Sequence, residues 1–297
     1  MSDVTTLQEA GAGRDNPRLT DAEFARLRGL IREHAGIHLK ENKRELLVAR
    51  LGHHIRKLGF SSFSDYCEYV AHDASGDALR DFINRITTNK TSFFREPHHF
   101  EFLRTRLIPE IRRRGRRELR IWSAGCSSGE EPYSIAITVE EALGKRHGWD
   151  VRILASDIDT EVLAQARTGI YPLAALEGMP VERRRAGFLR GYGEFAGQAQ
   201  VREELRRRVE FRRINFKEAG WGVHTRFDAI FCRNVIIYFE RALQQQIVEG
   251  LARHLQPEGY FFSGHSENLF WLRDLLVGVE PMVYRLHSAA GPGGKTP

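Results

Sequence analysis

From about residue 118 the chain alternates short apolar runs with segments of helical periodicity, and that alternation admits few folds. A strand that leads into a helix and then into another strand builds a parallel sheet with helices on both faces. The spacing predicts strands at residues 119–123, 152–156, 209–215, 229–233 and 260–263, with helices at 132–143, 160–168 and 241–254. Pro257-Glu258-Gly259 reads as the turn that stops the last helix and launches Tyr260-Phe261-Phe262. A final strand near 282–286 follows too short a connection after residues 270–276 to be placed in the sheet. The stretch 169–208 breaks the alternation: it is rich in Gly and Arg, contains Pro172 and Pro180, and exceeds an ordinary connection. It reads as an inserted subdomain.

The first ninety residues have a different texture. Leu19-Thr20-Asp21-Ala22-Glu23-Phe24 carries helix-start signals, and four apolar stripes at helical spacing follow, built on Phe24/Leu27/Leu30/Ile31, Leu46/Leu47/Leu51/Ile55, Phe63/Tyr66/Cys67/Val70 and Leu79/Phe82/Ile83/Ile86. The expected organisation is a flexible tail over 1–16, a helical domain over 17–88, a linker and helix over 89–117, an α/β domain over 118–288 with the insertion at about 169–208, and a second flexible tail over 289–297. With 297 residues, 41% of them apolar, the chain can bury a substantial core. No apolar run reaches the length of a membrane span and Met1–Pro17 is polar, so a cytoplasmic protein without direct membrane insertion is expected. Cys67, Cys126 and Cys232 lie too far apart for a CxxC metal site or a disulfide framework, and the His53-His54 and His98-His99 pairs lack i, i+4 spacing. No metal is expected. The net charge of +6 suits an acidic partner surface.

Within the α/β region, Glu118 to Pro132 reads as a buried strand, a turn hinged on Gly125 and Gly129, and the acidic start of a helix. Glycines let the backbone approach a ligand, and the helix N–H groups point into the same crevice. In a dinucleotide site those groups meet a pyrophosphate, which Glu130 and Glu131 would repel. A ligand with adenosine at one end and an ammonium and a sulfonium at the other suits them, and S-adenosyl-L-methionine is that ligand. Glu130 is read as the acid that touches it and Glu131 as the structural one. Asp157 ends the strand Val151-Arg152-Ile153-Leu154-Ala155-Ser156, where a carboxylate can accept from both ribose hydroxyls; Asp159, next to Thr160, is read as the helix cap.

Two more signals converge on the carboxyl edge of the sheet. The strand beginning Phe227-Asp228-Ala229 delivers Arg233, Asn234 and Tyr238 there, and Asn215-Phe216 ends the strand before it, where an amide and a ring could meet an adenine. The segment Thr87-Thr88-Asn89-Lys90-Thr91-Ser92-Phe93-Phe94-Arg95-Glu96 breaks the preceding helical period, and by composition alone it is a linker.

Five motifs in this order resemble the CheR family of chemotaxis receptor methyltransferases: Asn89-x-Thr91-x-Phe93-Phe94-Arg95, the run from Ala124 to Ser134, Ser156-Asp157-Ile158-Asp159, the run from Phe227 to Phe239, and Gly264-His265-Ser266-Glu267. The resemblance covers residues 19 to 286. It implies a Rossmann-like S-adenosylmethionine-dependent methyltransferase sheet of α/β class, with an inserted small antiparallel β-subdomain, preceded by a small all-α domain. It also implies transfer of a methyl group to glutamate side chains on the cytoplasmic helical region of methyl-accepting chemotaxis receptors, leaving S-adenosyl-L-homocysteine. Carried onto matching positions, Asn89, Thr91, Arg95, Ala124, Gly125, Glu130, Asp157, Asn215, Phe216, Arg233, Asn234 and Tyr238 line the cofactor site, with Arg95 and Tyr238 nearest the transferred methyl. Phe216 departs from the aliphatic residue that often follows this asparagine.

A glutamate carboxylate is already ionised at neutral pH, so its methylation requires no general base. The basic stretch that holds Arg50, Arg56 and Lys57 would steer acidic receptor helices, and the loop Gly191–Gly197 could serve a receptor C-terminal peptide. A monomer is expected. The run Arg112-Arg113-Arg114-Gly115-Arg116-Arg117 raises the alternative of a nucleic-acid methyltransferase, but Arg233-Asn234-Val235-Ile236-Ile237-Tyr238 lacks the Pro-Pro that amino-methylating enzymes place beside a flipped base, so no nucleic-acid partner is expected. A nicotinamide dehydrogenase is disfavoured because the turn lacks the third glycine of G-x-G-x-x-G.

Overall fold

The computed structural model describes residues 18–144 and 148–287; both predicted tails lie outside the described residues. The described residues divide into two compact units, one made of those up to Leu30 with Leu39–Ile86, the other of Ile31–His38 with those from Thr87 onward.

The first unit is helical. Its elements are α1 (Asp21–Ala35, whose last turn counts with the second unit), α2 (Arg44–Lys57), α3 (Phe63–His72) and α4 (Asp77–Ile86). A reciprocal box starts α1: the Thr20 amide donates to Glu23 at 2.8 Å, and the Glu23 amide to the Thr20 hydroxyl at 3.3 Å. Leu47, Leu51, Ile55, Phe63 and Phe82 are fully buried, as the helical spacing predicts. Arg50 turns inward, donating to the carbonyls of Ile86 at 2.5 Å and Arg85 at 3.5 Å. It thereby satisfies backbone acceptors that a helix leaves open at its C-terminus.

The second unit is built on strands β1 (Glu118–Ala124), β2 (Asp150–Asp157), β3 (Ile170–Pro172), β4 (Phe188–Arg190), β5 (Gln198–Val201), β6 (Val209–Arg213), β7 (Phe227–Cys232), β8 (Leu255–Ser263), β9 (Leu276–Glu280) and β10 (Val283–Leu286). Seven of them form one sheet in the order β6-β2-β1-β7-β8-β10-β9. The first five run parallel, and β10 and β9 close the sheet antiparallel. Helices α5 (His98–Phe102) and α6 (Ile108–Arg113), joined through a π turn, precede β1; α7 (Glu130–Leu143), α8 (Thr160–Thr168), α9 (Val181–Gly187), α10 (Glu203–Arg206) and α11 (Arg241–Ala252) follow.

Alternation along the strands sends side chains to two cores. Ile121, Ile153, Ala229, Phe231 and Phe262 pack with Ile135 and Val139 of α7, while Trp122, Leu154, Ile230 and Phe261 pack with Val248 and Leu251 of α11. Every residue of β7 is buried, as a central parallel strand requires. The insertion forms a separate antiparallel sheet, β3-β5-β4. Its edge strand β4 and the loop that follows leave Leu189, Tyr192 and Phe195 exposed by 48%, 78% and 54%, far more than core residues of these types.

The structure corrects several expectations. Helix α7 begins at Glu130 rather than 132, because Gly129, at φ 97°, turns the chain directly into the helix. Pro257–Gly259 does not separate helix from strand: β8 already starts at Leu255, and the three residues form an irregularity in its pairing, where Phe227 faces Leu255 but Ala229 faces Tyr260. Proline removes a ladder donor there and glycine accommodates the crowding, since a Cβ at Gly259 would lie 3.0 Å from two carbonyl oxygens. The short connection after residues 270–276 is itself a strand: β9 runs from Leu276 to Glu280 and pairs antiparallel with β10 as a hairpin, which joins the sheet beside β8.

The Arg50 geometry makes a prediction about stability. Arg50→Ala should cost about 1–3 kcal/mol, because charge-assisted bonds to otherwise open carbonyls are lost, while Lys57→Ala on the exposed surface should stay within about 0.5 kcal/mol. Urea denaturation followed by far-UV circular dichroism checks both; equal effects would refute the assignment.

Candidate active site

Strand order reverses between β1 and β7, and at such a point the loops leaving the carboxyl ends diverge and open a crevice. The loop from β1 enters it on strained backbone. Gly125 lies at φ 90° and Ser127 at φ 49°, with the amides of Gly125 and Cys126 both donating to the Ser156 carbonyl, at 2.8 and 2.9 Å. A Cβ at Gly125 would fall 2.2 Å from Val235 Cγ2 on the opposite loop, so only glycine lets the two walls approach.

Two buried carboxylates face this turn. Asp157, the last residue of β2, accepts from the Ser127 amide at 2.8 Å and the Asp159 amide at 3.1 Å. Burial pushes its pKa up to about 6, against the backbone donors that oppose the rise. Glu130, at the start of α7, accepts from the Ser128 hydroxyl at 2.7 Å and is likewise raised by burial. Asp159 caps α8 as predicted, accepting from the amides of Glu161 and Val162, and it also receives Asn89 Nδ2 and the Thr87 hydroxyl, each at 2.7 Å. The Asn89 carbonyl in turn accepts from Ser127 Oγ at 3.0 Å. The segment that composition alone left as a linker is thus tied to both loops of the crevice.

Glu131 points away from the turn. It accepts from Ser123 at 2.7 Å and pairs with Arg233 at 2.9 Å. Arg233, predicted to line the cofactor, has a side chain only 2% exposed; it also pairs with Glu96 at 3.1 Å and donates to the Arg95 carbonyl. That commitment fixes the backbone of Arg95, whose own guanidinium donates to the Lys90 carbonyl at 2.9 Å, across the half-buried Thr91. Asn234 lies just beyond β7 at φ 61°, and Tyr238 closes the single turn Ile236–Tyr238, half-buried. Asn215 and Phe216 are engaged elsewhere: the Asn215 amide donates to the His34 carbonyl and to Glu218 at 2.7 and 3.0 Å, and Phe216 is buried against Trp122 and Trp221.

Glu267 belongs to the Gly264–Glu267 motif, and its task is visible only in the folded chain. It is 3% exposed and accepts from the amides of Asn234, Val235 and Ile236 at 2.6, 2.8 and 2.9 Å, and from Gly264 at 2.8 Å. One carboxylate therefore holds the whole Asn234–Ile236 turn. The signal available was a glutamate three residues after the glycine that follows β8.

A reversed-order sheet, a glycine turn beside the buried carboxylate of Glu130, and an acid at the tip of β2 suit a nucleoside cofactor with a cationic tail better than a dinucleotide, whose pyrophosphate Glu130 would repel. Residues 89–281 match the CheR methyltransferase SAM binding domain, and residues 22–87 the CheR methyltransferase all-alpha domain. The chain belongs to the CheR methyltransferase family. It is 46% identical to chemotaxis protein methyltransferase 2 of Pseudomonas aeruginosa, over 92% of this chain and 95% of that one. Identity to the chemotaxis protein methyltransferase of Salmonella typhimurium is 45%, over 84% and 85% of the two chains. For the Escherichia coli protein of the same name it is 43%, over 90% and 92%.

Its donor set fits S-adenosylmethionine: Asp157 is a buried acceptor suited to hydroxyls, and Glu130 a buried carboxylate suited to a cation. That group supplies, when bound, a methyl carbon activated by a sulfonium. The nucleic-acid alternative finds no support in these matches, and part of the arginine run behind it serves the fold, since Arg116 pairs at 2.7 Å with the buried Asp228 of β7 and Arg114 at 3.6 Å with Glu258.

Because Asp157 titrates near pH 6 without ligand, and hydroxyl donors favour its ionised form, cofactor affinity should be full above that pH. It should fall as pH drops below 6, by up to about tenfold per unit. Calorimetry with S-adenosylhomocysteine from pH 5 to 8 measures this; Asp157→Asn should bind weakly and with a flatter profile. A wild-type affinity that stays constant to pH 5 would contradict it.

Proposed function

We infer that this chain transfers the methyl group of S-adenosylmethionine to glutamate carboxylates on the cytoplasmic helices of chemoreceptors. The observation that carries the reading is the way Arg95 is held. Its carbonyl is clamped by the buried Arg233, its guanidinium rests on Lys90, and its neighbours Phe94 and Glu96 take left-handed φ values of 54° and 57°. A fixed cation beside a methyl-donor site suits an anionic nucleophile.

The chemistry needs no base from the protein. A glutamate is ionised at neutral pH. The buried His99 next to Arg233 could not serve as one, since burial and then the Arg233 charge hold its pKa down near 2. Attack joins carboxylate and cation into neutral products, so water, which solvates separated charge, opposes it. What the chain must do is exclude water and align the reacting atoms. Arg95 and the Tyr238 phenol would orient the carboxylate, positioning it without pairing so fully that its nucleophilicity is lost. The names of the curated relatives, which speak of chemotaxis, support a receptor as substrate. Helix α2 carries Arg56 and the exposed Lys57, a basic end suited to acidic receptor helices.

With methyl-labelled cofactor and receptor, the label should appear in a product that releases methanol in mild base, and DNA should remain unlabelled. Arg95→Ala should lower kcat/KM by about 10²-fold and Tyr238→Phe by about tenfold, with cofactor still bound. Arg56→Glu with Lys57→Glu should raise the KM for receptor alone. Unchanged single-turnover transfer in both Arg95→Ala and Tyr238→Phe would defeat the assignment.

The exposed edge of β4 supports a second reading, in which an extended receptor C-terminal peptide adds to the inserted sheet beside Leu189, Tyr192 and Phe195. Calorimetric titration with such a peptide should show micromolar binding that Leu189→Asp weakens; absence of heat at millimolar peptide would dismiss it.

A further inference from the structure

The inserted sheet reaches the cofactor turn through one side chain. Tyr171, on β3 and 1% exposed, donates its phenol to the Ser128 carbonyl at 2.7 Å. That hydroxyl fills the space beneath the turn: a Cβ at Gly129 would lie 2.7 Å from it. Ser128 in turn gives its own hydroxyl to Glu130 at 2.7 Å. A chain of two hydrogen bonds thus runs from the insertion to the carboxylate assigned to the ligand's cationic end.

The same ring steadies the other wall of the site. It meets Phe93 edge-on with centroids 4.9 Å apart, and Phe93 meets Phe188 of β4 at 5.2 Å. The adjacent Phe94 is held by its amide, which donates to Ser134 at 2.9 Å, and by Arg183 of α9, whose guanidinium lies 4.2 Å from the ring. Arg95 follows directly. Burial, and then the charge of Glu130, push the Tyr171 phenol far up from its ordinary value, so it remains a proton donor at every working pH.

We propose that Tyr171 is a positioning residue for the cofactor site: its hydroxyl sets the Ser128–Gly129 turn, and through Ser128 aims Glu130 at the ligand. The insertion is then a strut for the reaction centre as well as a surface feature. This rests on the reading of Glu130 as a cofactor contact, which the experiment tests separately.

Tyr171→Phe keeps the ring and removes only the donor. A matched control exists in the same core, because Tyr133 is also fully buried and donates to a backbone carbonyl, that of Ala166, at 2.8 Å. Both variants should lose similar thermal stability, but only Tyr171→Phe should bind S-adenosylhomocysteine about five- to thirtyfold more weakly in calorimetry. With saturating cofactor its kcat should stay close to wild type, so that the loss falls on the cofactor KM. Glu130→Gln should weaken binding too, and adding Tyr171→Phe to it should cost little more. Normal binding by Glu130→Gln would remove the contact on which the proposal rests. Weak binding by Glu130→Gln with normal binding by Tyr171→Phe would overturn the positioning role alone. Equal losses in Tyr171→Phe and Tyr133→Phe would reduce the effect to core stability and overturn it as well.

Discussion

The guanidinium of Arg233 is the tie on which the proposed reaction centre depends. It lies within salt-bridge distance of Glu131 at the start of α7 and Glu96 in the segment before α5, and it donates to the carbonyl of Arg95. Phe100 adds an aromatic face 5.7 Å away. Three stretches remote in sequence therefore meet at one buried cation. Withdrawing such ions from water costs several kcal/mol, and their attraction offsets that cost only with good geometry. A well-packed apolar cluster could stabilise the fold as well, but it could not orient a backbone carbonyl, and orienting the backbone of Arg95 is what this cluster does.

Around that tie the backbone is held in conformations that isolated chains avoid. Among the described residues, five that are not glycine have positive φ, and four of them border the crevice: Phe94, Glu96, Ser127 and Asn234. Each costs of order 1–3 kcal/mol and persists only where the surroundings over-determine it. The surroundings are on hand in each case. Ser127 is gripped by Asp157 and by the Asn89 carbonyl, Phe94 by Ser134, Asn234 by Glu267, and Glu96 by Arg233 and the His265 amide. Carboxylates supply several of these grips because one ionised group can accept from several amides, as Glu267 does.

Much of this was legible from the chain, for a reason of range. The glycine turn, Asp157 at a strand tip and Asp159 as a cap are signals confined to a few consecutive residues, and the parallel sheet follows from periodicity. Long-range pairing was not legible. Glu131 and Arg233 stand 102 residues apart, and nothing local distinguishes an arginine that will be buried between acids from one that faces a ligand. Pro257-Glu258-Gly259 has the local chemistry of a turn, yet pairing with β7 drew it into β8. Strand β9 escaped notice because only Leu276 is buried, and exposed Val277 and Val279 give no alternating pattern to read. The resemblance to a family carried the motif at Gly264–Glu267, but only the folded backbone revealed what the glutamate accepts.

The cofactor crevice carries an electrostatic imbalance that its ligand is suited to relieve. Asp157, Glu130 and Glu131 all have their pKa values raised by burial, and Glu267 behind the opposite loop shares that fate. Arg233 neutralises part of this charge, but it is turned toward Glu131 and Glu96. Glu131 and Glu267 are satisfied by the fold itself, through an arginine and a row of amides. Glu130 accepts from the Ser128 hydroxyl and Asp157 from backbone amides, with no cation among the described residues paired to either, and these are the two that face the glycine turn. A dinucleotide would bring phosphate charge against them, whereas a nucleoside with hydroxyls and a cationic tail brings the donors they lack. With Asp157 and Glu130 as the proposed cofactor contacts, selectivity for the cofactor class would be built less from contacts made than from carboxylates whose desolvation a ligand of that kind offsets.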